Sequence, residues 1–417
     1  MYLSNNITES KNHVSVSKIF VSLLLLYIYI YNPIFVAVNF GLIKVLTFCG
    51  LIYFFFNQST LNNYLRFYTK ECKIVLFCIL YCTFTVIINN GNAVTVPYTL
   101  TIWLLETTII PIFLINFIFA KNKISLFGIL IPLSLLAAVI SAYLFINPGL
   151  NEYVLGGVIR VPYNNVLGTW HRCFGISEGL TSSYGVIQGI MASICLLKGK
   201  QSFRFYIYAL IITFSAMINA RTGMIPIMIT LCYMLFRSFV GRNIFFFVFI
   251  ALEGYLITYF AGNYYQKFSG TFDYISNFFI SSYDFFIKGD TGDDYYGALD
   301  SFIHFPDSIL GVLFGEGEDH YHGEISRSDI SYINQIYVGG LVYLSALICL
   351  QLRIYRKIYD RYKNVFIYLL LLLTAFIINF KGISFCISES FTRFVMLLYF
   401  TVLHNQIYPE KEINIGI

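Results

Sequence analysis

The sequence predicts an all-α polytopic membrane protein with about 12 transmembrane helices. Of the 417 residues, 58% are hydrophobic and only 12% are charged, whereas soluble globular chains carry about 25% charged residues. Apolar segments of the ~20 residues that a helix needs to cross a bilayer recur from end to end. These segments lack the short alternating pattern of a transmembrane β-barrel, so we expect a helical bundle.

The predicted spans form a single transmembrane domain over residues 1–417. Hydropathy places them near residues 17–33, 35–57, 73–89, 98–120, 124–146, 181–197, 204–220, 223–240, 243–262, 334–352, 364–380 and 383–405.

The basic residues predict the orientation of these spans. If both termini face the cytoplasm, 18 of the 27 Lys and Arg residues lie on the cytoplasmic side and seven lie outside, as the positive-inside rule requires. The reversed orientation violates the rule. The net charge of +5 does not indicate a nucleic-acid partner, because the basic residues are dispersed along the chain.

Two outer connections are long enough to carry structure of their own. The segment 147–180 is a loop of moderate length. The segment 262–334, between the ninth and tenth spans, holds 12 of the 22 acidic residues of the chain. Part of it has apolar residues at helical spacing, so we expect short amphipathic helices there. Loops held by a rigid scaffold often carry binding and catalytic residues.

Three outer arginines stand close to spans, against the usual charge bias. They are Arg172 in "GTWHRCFGISEG", Arg221 in the tight turn "NARTG" and Arg327 in "ISRSDISYINQIYVGG"; Arg160, in "GVIRVPYNN", is a weaker candidate. Guanidinium groups bind phosphate oxygens in a bidentate manner and stay charged, so converging arginines predict a diphosphate site that needs no metal or cofactor. The alternative is that Arg221 only anchors its turn by reaching lipid headgroups.

Three motifs resemble the O-antigen polymerase (Wzy) family within the O-antigen polymerase and ligase superfamily. They are "ARTG" at 220–223, "FGEG" at 314–317 late in the large outer loop, and "SDISYINQIYVGGLVYL", which opens the tenth span. The related ligases typically carry a His where this chain has Ser328 and Asp329, so the resemblance favours a polymerase.

The resemblance implies a glycosyltransferase of GT-C-like fold in the bacterial inner membrane, with a large periplasmic loop. Such an enzyme joins repeat units carried on undecaprenyl diphosphate at the periplasmic face. Its partners would be lipid-linked oligosaccharide donor and acceptor, membrane lipid and a chain-length regulator protein.

Transfer from a lipid diphosphate needs a base that takes a proton from the acceptor hydroxyl. Asp329, where the outer loop enters the membrane, is the first candidate, and Glu178, before the sixth span, is the second. The alternative for Asp329 is a helix N-cap, because Ser and Asp are favoured in that position.

Four further side chains are candidates for sugar binding: Trp170, His171, His304 and Tyr332. Loop packing would explain them equally well. The stretch "EGEDHYHGE" (316–324) combines histidines with carboxylates, as some divalent metal sites do, but a flexible loop is the preferred interpretation and we expect no metal.

Two other functions stay open on the sequence alone. One is an O-antigen ligase, which transfers the glycan to lipid A–core. The other is a flippase or transporter of lipid-linked oligosaccharides, although a transporter would more usually show short loops and a pseudo-repeat of helices.

Overall fold

The computed structural model describes residues 16–38, 40–119, 125–159, 173, 175–177, 183–241, 304–319, 330–380 and 385–416. Over these residues the regular secondary structure is helical, with isolated bridges between Ile34 and Gly41 and between Phe35 and Ile159. In chain order the helices are α1 (Val16–Tyr31), α2 (Ile43–Phe56), α3 (Gln58–Asn89), α4 (Thr95–Leu114), α5 (Leu126–Ile146), α6 (Pro148–Tyr153), α7 (Ser183–Lys198), α8 (Arg204–Met217), α9 (Met224–Gly241), α10 (Ile309–Phe314), α11 (Ser331–Tyr362), α12 (Val365–Ile378) and α13 (Ser390–Ile407).

The helices are apolar enough for a bilayer. Among the described residues, four are long enough to cross one: α3, α4 with its π-helical extension Ile115–Phe119, α5 and α11. Six shorter apolar helices accompany them. The all-helical, membrane-embedded class is therefore confirmed. The number of crossings stays a prediction, and the ninth predicted span (243–262) lies outside the described residues.

Two predicted boundaries at the ends of spans are wrong. The second span begins at Ile43 rather than near residue 35, because Asn32 adopts a positive φ of 40° and its Oδ1 accepts a hydrogen bond from the Ile43 N–H at 3.1 Å. The last span begins at Ser390 rather than near 383, and the described residues before it, 385–389, are not helical.

Two predicted connections are helical instead. Residues 58–72 and 353–362 belong to α3 and α11, which have 32 residues each. Their polar residues lower the local hydropathy, so hydropathy alone predicts loops there. Tyr64, Tyr68 and Glu71 of α3 are nevertheless buried at spacings of three and four, the periodicity of a packed helix face.

The described parts of the two outer loops are short. The moderate loop contributes α6, a π-helical turn (Val154–Val158) and residues 173 and 175–177, and the large loop contributes residues 304–319 with α10.

The last helix, α13, is the axis of the bundle. Every residue from Ser390 to Asn405 is buried, and α1, α3, α4, α7 and α11 all pack against it. A helix that is buried on all sides shows no amphipathic stripe. Because its polar side chains reach neither lipid headgroups nor water, they must form hydrogen bonds with partners inside the protein.

Arg393, in the first turn of α13, is the largest of these polar groups and is 1% exposed. Its Nε donates to Ser388 Oγ at 3.2 Å, its Nη2 donates to the Ser388 carbonyl, and its Nη1 donates to the Ile30 carbonyl at 3.4 Å. The Ser388 hydroxyl in turn donates to the buried carboxylate of Glu106 on α4. Ser388 therefore bridges a buried cation and a buried anion, and the three residues join α1, α4 and α13.

The C-terminal segment closes one end of the bundle. The backbone N–H groups of Leu126 and Phe127, which begin α5, donate to the carbonyls of Asn414 and Ile415 at 3.0 and 3.1 Å. The first N–H groups of a helix have no partner within the helix, so the C-terminal segment caps α5. We call this end of the bundle the C-terminal end, and the opposite end, with residues 173, 175–177, 219–223 and 314–319, the loop end.

Loss of the Arg393 guanidinium should strongly destabilise the bundle. We expect Arg393→Ala to lower the free energy of unfolding by about 3–5 kcal/mol, because Glu106 keeps a buried charge without its cation. Ser388→Ala, which removes only the bridging hydroxyl, should cost about 1–3 kcal/mol.

Thermal unfolding in detergent measures both effects. Arg237→Ala, at an exposed position near the end of α9, is the control and should change stability by no more than about 0.5 kcal/mol. Equal melting temperatures for Ser388→Ala and Arg237→Ala would contradict the bridging role.

Candidate functional site

The turn that contains "ARTG" is fixed to α7 by contacts between glycines. Arg221–Gly223 is a single 3₁₀ turn between α8 and α9. A Cβ on Gly223 would lie 2.7 Å from the Gly185 carbonyl oxygen and 3.0 Å from the Gly185 Cα, closer than real Cβ atoms approach. Gly189, one helical turn further on, also lies against the Gly223 backbone. Gly185 and Gly189 form a GxxxG pair, which allows two backbones in a membrane protein to approach closely.

A segment of the moderate loop is hydrogen-bonded to the same turn. The Cys173 N–H donates to the Ile218 carbonyl at 3.3 Å, and Asn219 Nδ2 donates to the Cys173 carbonyl at 3.3 Å. Cys173 follows Arg172 in the sequence, and Asn219 precedes Arg221 by two residues. Two chain segments that carry predicted diphosphate ligands are thus joined at the loop end.

The described residues of that segment are seated inside the bundle rather than on its surface. Cys173 and Ser177 are buried, and Tyr27 of α1 donates to the Ile176 carbonyl at 2.7 Å. Gly175 has a φ of +61° and lies against Ser141 of α5, a conformation that favours glycine.

The thiol of Cys173 is buried, with 2% of the residue exposed. Burial raises the pKa of its thiol to about 12, so the reactive thiolate is scarce at neutral pH.

Beneath the turn, a band of hydroxyl and amide groups crosses the bundle. The Tyr184 hydroxyl donates to the Ala137 carbonyl at 3.0 Å and lies 2.6 Å from Ser141 Oγ and 2.8 Å from Ser215 Oγ. Gln188 Nε2 donates to the Tyr31 hydroxyl at 3.1 Å. These bonds connect α1, α5, α7 and α8 directly below the "ARTG" turn.

Two polar atoms of the turn stay unsatisfied within the part of the chain that the structure describes. Asn219 and Thr222 are 2% and 6% exposed, and Asn219 Oδ1 and Thr222 Oγ1 have no hydrogen-bond partner there. Buried polar atoms without hydrogen-bond partners lower the stability of a fold. Here they occur at the "ARTG" turn, for which the sequence predicts diphosphate binding.

A second glycine junction joins "FGEG" to the start of α11. The helix is broken at Gly339 and Gly340, whose φ angles are −148° and 68°. A Cβ on Gly315 would meet the Gly339 backbone, and a Cβ on Gly340 would meet the Leu313 backbone, each within 3.0 Å. At this break the Tyr337 carbonyl accepts from the N–H groups of Glu316 and Gly317, at 2.8 and 3.1 Å.

Asp319, just after "FGEG", is a carboxylate that the sequence did not single out. It is 7% exposed; its N–H donates to Asn92 Oδ1 at 2.6 Å, and its Oδ1 accepts from Asn334 Nδ2 at 3.3 Å. It therefore lies between the α3–α4 turn and the start of α11. Burial cannot be predicted from the stretch "EGEDHYHGE", whose composition is that of a solvated loop. Over the described residues, no group of three or more His, Cys, Asp and Glu side chains is placed to hold a metal.

Of the predicted site residues, the side chains of His304 and Tyr332 are described. His304 is exposed, five residues before α10. The Tyr332 hydroxyl donates to the Phe376 carbonyl at 2.8 Å, and the Tyr332 ring packs against Phe380. Tyr332 therefore contributes to the packing of α11 against α12. A role of either residue in sugar binding stays a prediction. Outside the description lie Arg160, Trp170, His171, Arg172, Glu178, Arg327, Asp329 and the side chain of Arg221.

No family model matches the chain, and no curated protein or solved structure is significantly similar to it. Its function is therefore inferred from its own residues and from the motifs noted in the sequence.

The glycine contact at the "ARTG" turn gives a testable consequence. Gly223→Ala should lower the free energy of unfolding by about 1–3 kcal/mol, because its methyl group forces the turn away from Gly185. Thermal unfolding of the purified protein measures this effect.

Gly149→Ala is the matched control, since a Cβ at Gly149 meets no atom within 4 Å. If both alanine variants unfold at the same temperature, the close contact between Gly223 and α7 is wrong.

Proposed function

We propose that the chain is a polysaccharide polymerase, a metal-independent glycosyltransferase that joins undecaprenyl-diphosphate-linked repeat units. In this proposal it works at the periplasmic face of the bacterial inner membrane, has a GT-C-like fold with about 12 spans, and keeps both termini in the cytoplasm. The loop end of the bundle would face the periplasm.

One observation supports this proposal above the others. Each of the three motifs that carry the resemblance has a packing role at the loop end. "ARTG" contacts the GxxxG pair of α7, and "FGEG" contacts the glycine break in "YVGG" of α11. Motifs more than 90 residues apart in the sequence thus shape the same end of the bundle.

The arginines would bind the diphosphate of the donor. The hydrogen bonds between Cys173 and residues 218–219 join the two chain segments in which Arg172 and Arg221 stand in the sequence. Arg327 would approach from the start of α11, and Arg160 is a weaker fourth ligand. A charge-assisted hydrogen bond contributes about 1.5–3 kcal/mol.

The chemical step in this proposal is a displacement at the anomeric carbon of the donor glycan. The acceptor hydroxyl forms the new glycosidic bond, the bond from the anomeric carbon to the diphosphate oxygen breaks, and undecaprenyl diphosphate leaves with the electron pair. Guanidinium groups stabilise the charge that develops on the diphosphate. Asp329 or Glu178 takes the acceptor proton, and Trp170, His171, His304 and Tyr332 are candidates for holding the sugars.

The growing chain would be one substrate and a new lipid-linked repeat unit the other. Membrane lipid surrounds the bundle, and a chain-length regulator is the proposed protein partner. A ligase or a flippase of lipid-linked oligosaccharides remains the alternative, and the following experiment separates the three.

Arg221→Ala should abolish polymerisation in a strain that lacks the chromosomal gene. We expect lipopolysaccharide that carries a single repeat unit, because donor binding falls while the ligase and flippase of the cell continue to work. Arg221→Lys should also be impaired, roughly tenfold to 100-fold, since Lys keeps the charge but loses the bidentate geometry. The measurement is the length distribution of lipopolysaccharide on a gel.

Arg204→Ala, at an exposed site at the C-terminal end, is the control and should support full-length chains. Lipopolysaccharide without any repeat units would indicate a ligase if lipid-linked polymer accumulates outside, and a flippase if single repeats accumulate in the cytoplasmic leaflet. Normal chains from Arg221→Ala would refute the proposed arginine site.

A further inference from the structure

At the C-terminal end of the bundle, a buried carboxylate holds two cations of another helix in place. Glu71 of α3 has a side chain that is 0% exposed; Arg353 Nη2 lies 3.2 Å and Lys357 Nζ 3.6 Å from its Oε1. Lys357 also donates to the Phe67 carbonyl at 3.0 Å and to the Tyr399 hydroxyl at 3.1 Å. Since one carboxylate faces two cations, this contact between α3 and α11 keeps a net positive charge.

The exposed face of α3 next to this contact adds three more cations. Arg66, Lys70 and Lys73 are all exposed, and their spacing of i, i+4 and i+7 places them on one helical stripe. Lys70 acts electrostatically on Lys357, so the stripe and the buried contact belong to the same electrostatic region. Arg356 of α11 is exposed nearby and pairs with Asp360, at 3.9 Å.

The charge of this region is strongly unbalanced. Its cations are Arg66, Lys70, Lys73, Arg353, Arg356 and Lys357, and its carboxylates are Glu71 and Asp360. Six positive groups against two negative ones attract an anion, and the three lysines and arginines of the α3 stripe project from an exposed surface where an anion can reach them.

The same stripe continues as an exposed apolar surface. At the next positions of the 3.6-residue period stand Phe77, Leu80, Phe84 and Ile87, which are 46%, 69%, 62% and 68% exposed. With a rise of 1.5 Å per residue, residues 77 to 87 extend over about 15 Å, roughly the depth of one leaflet of a bilayer core. The cations therefore lie at the level of headgroups, and the apolar positions lie at the level of acyl chains.

We propose that this stripe of α3 is a binding site for an anionic phospholipid. The headgroup phosphate lies among Arg66, Lys70 and Lys73, where basic side chains at a membrane surface attract anionic lipids. One acyl chain lies along Phe77, Leu80, Phe84 and Ile87. The site is at the opposite end of the bundle from the proposed diphosphate site and does not depend on the proposed function.

The test measures lipid binding by the purified full-length chain in detergent, with phosphatidylglycerol and phosphatidylcholine as probes. The chain should bind phosphatidylglycerol at least tenfold more tightly than phosphatidylcholine. The triple variant Arg66→Gln/Lys70→Gln/Lys73→Gln should lose this preference. The variant Leu80→Ser/Phe84→Ser should weaken binding of both lipids, because it removes apolar contact without changing charge.

The matched control is Lys200→Gln/Arg204→Gln/Arg237→Gln, which removes three exposed positive charges at the same end of the bundle but outside α3 and α11. It should keep the preference for phosphatidylglycerol. Thermal unfolding of each variant in lipid-free detergent verifies that the protein is folded.

Three outcomes would overturn the proposal. The first is equal binding of the two phospholipids by the unmodified chain, and the second is an equal loss in the stripe variant and the control. The third is full competition by glycerol 3-phosphate, which would show that a free phosphate, rather than a membrane lipid, occupies the cations. None of these outcomes bears on polymerisation, which the arginine variants at the loop end test separately.

Discussion

The buried guanidinium of Arg393 sets the arrangement of the other helices. Its helix, α13, is enclosed on all sides, so the charge reaches neither water nor headgroups. It is compensated through Ser388 by Glu106 and through the carbonyl of Ile30. These partners belong to α4, α1 and the non-helical residues before α13, which must therefore stay together. The non-helical segment 385–389 is tolerated inside the bundle because its polar groups are enclosed by protein, and Phe385 and Cys386 are buried there.

At the loop end, glycines determine how closely the connecting segments approach the helices. Gly223 lies on Gly185, and Gly315 lies on Gly339; a side chain at Gly223 or Gly315 would meet the opposing backbone within 3.0 Å. Hydrogen bonds from Asn219 to Cys173 and from Asn334 to Asp319 then fix the polar residues beside each junction. The turns that carry the candidate motifs are consequently held by backbone packing. In the proposed function, side chains carried by these turns would lose little freedom when the lipid-linked donor binds.

Over the residues that the structure describes, the two ends of the bundle carry different charged groups. The C-terminal end carries exposed cations on α3 and α11 around the buried Glu71. The loop end presents the carboxylate of Asp319 and the backbone of the "ARTG" turn. Glu71 was missed from the sequence because it stands between Lys70 and Lys73, where the hydropathy is that of a cytoplasmic loop, although the structure buries it completely.

The sequence by itself determined the helical membrane class, the approximate positions of the apolar helices that the structure describes, and the motifs that are unusual for an outer surface. These properties are local: hydropathy and charge add up within a window of about 20 residues. The tertiary structure alone decided that α13 is the central helix, that "FGEG" meets the break in α11, and that Asp319 and Glu71 are buried. Such contacts join residues that are far apart in the chain, and they form only where the shapes and hydrogen-bonding groups of packed helices match. Hydropathy and charge, summed over a short window of sequence, carry no information about this match.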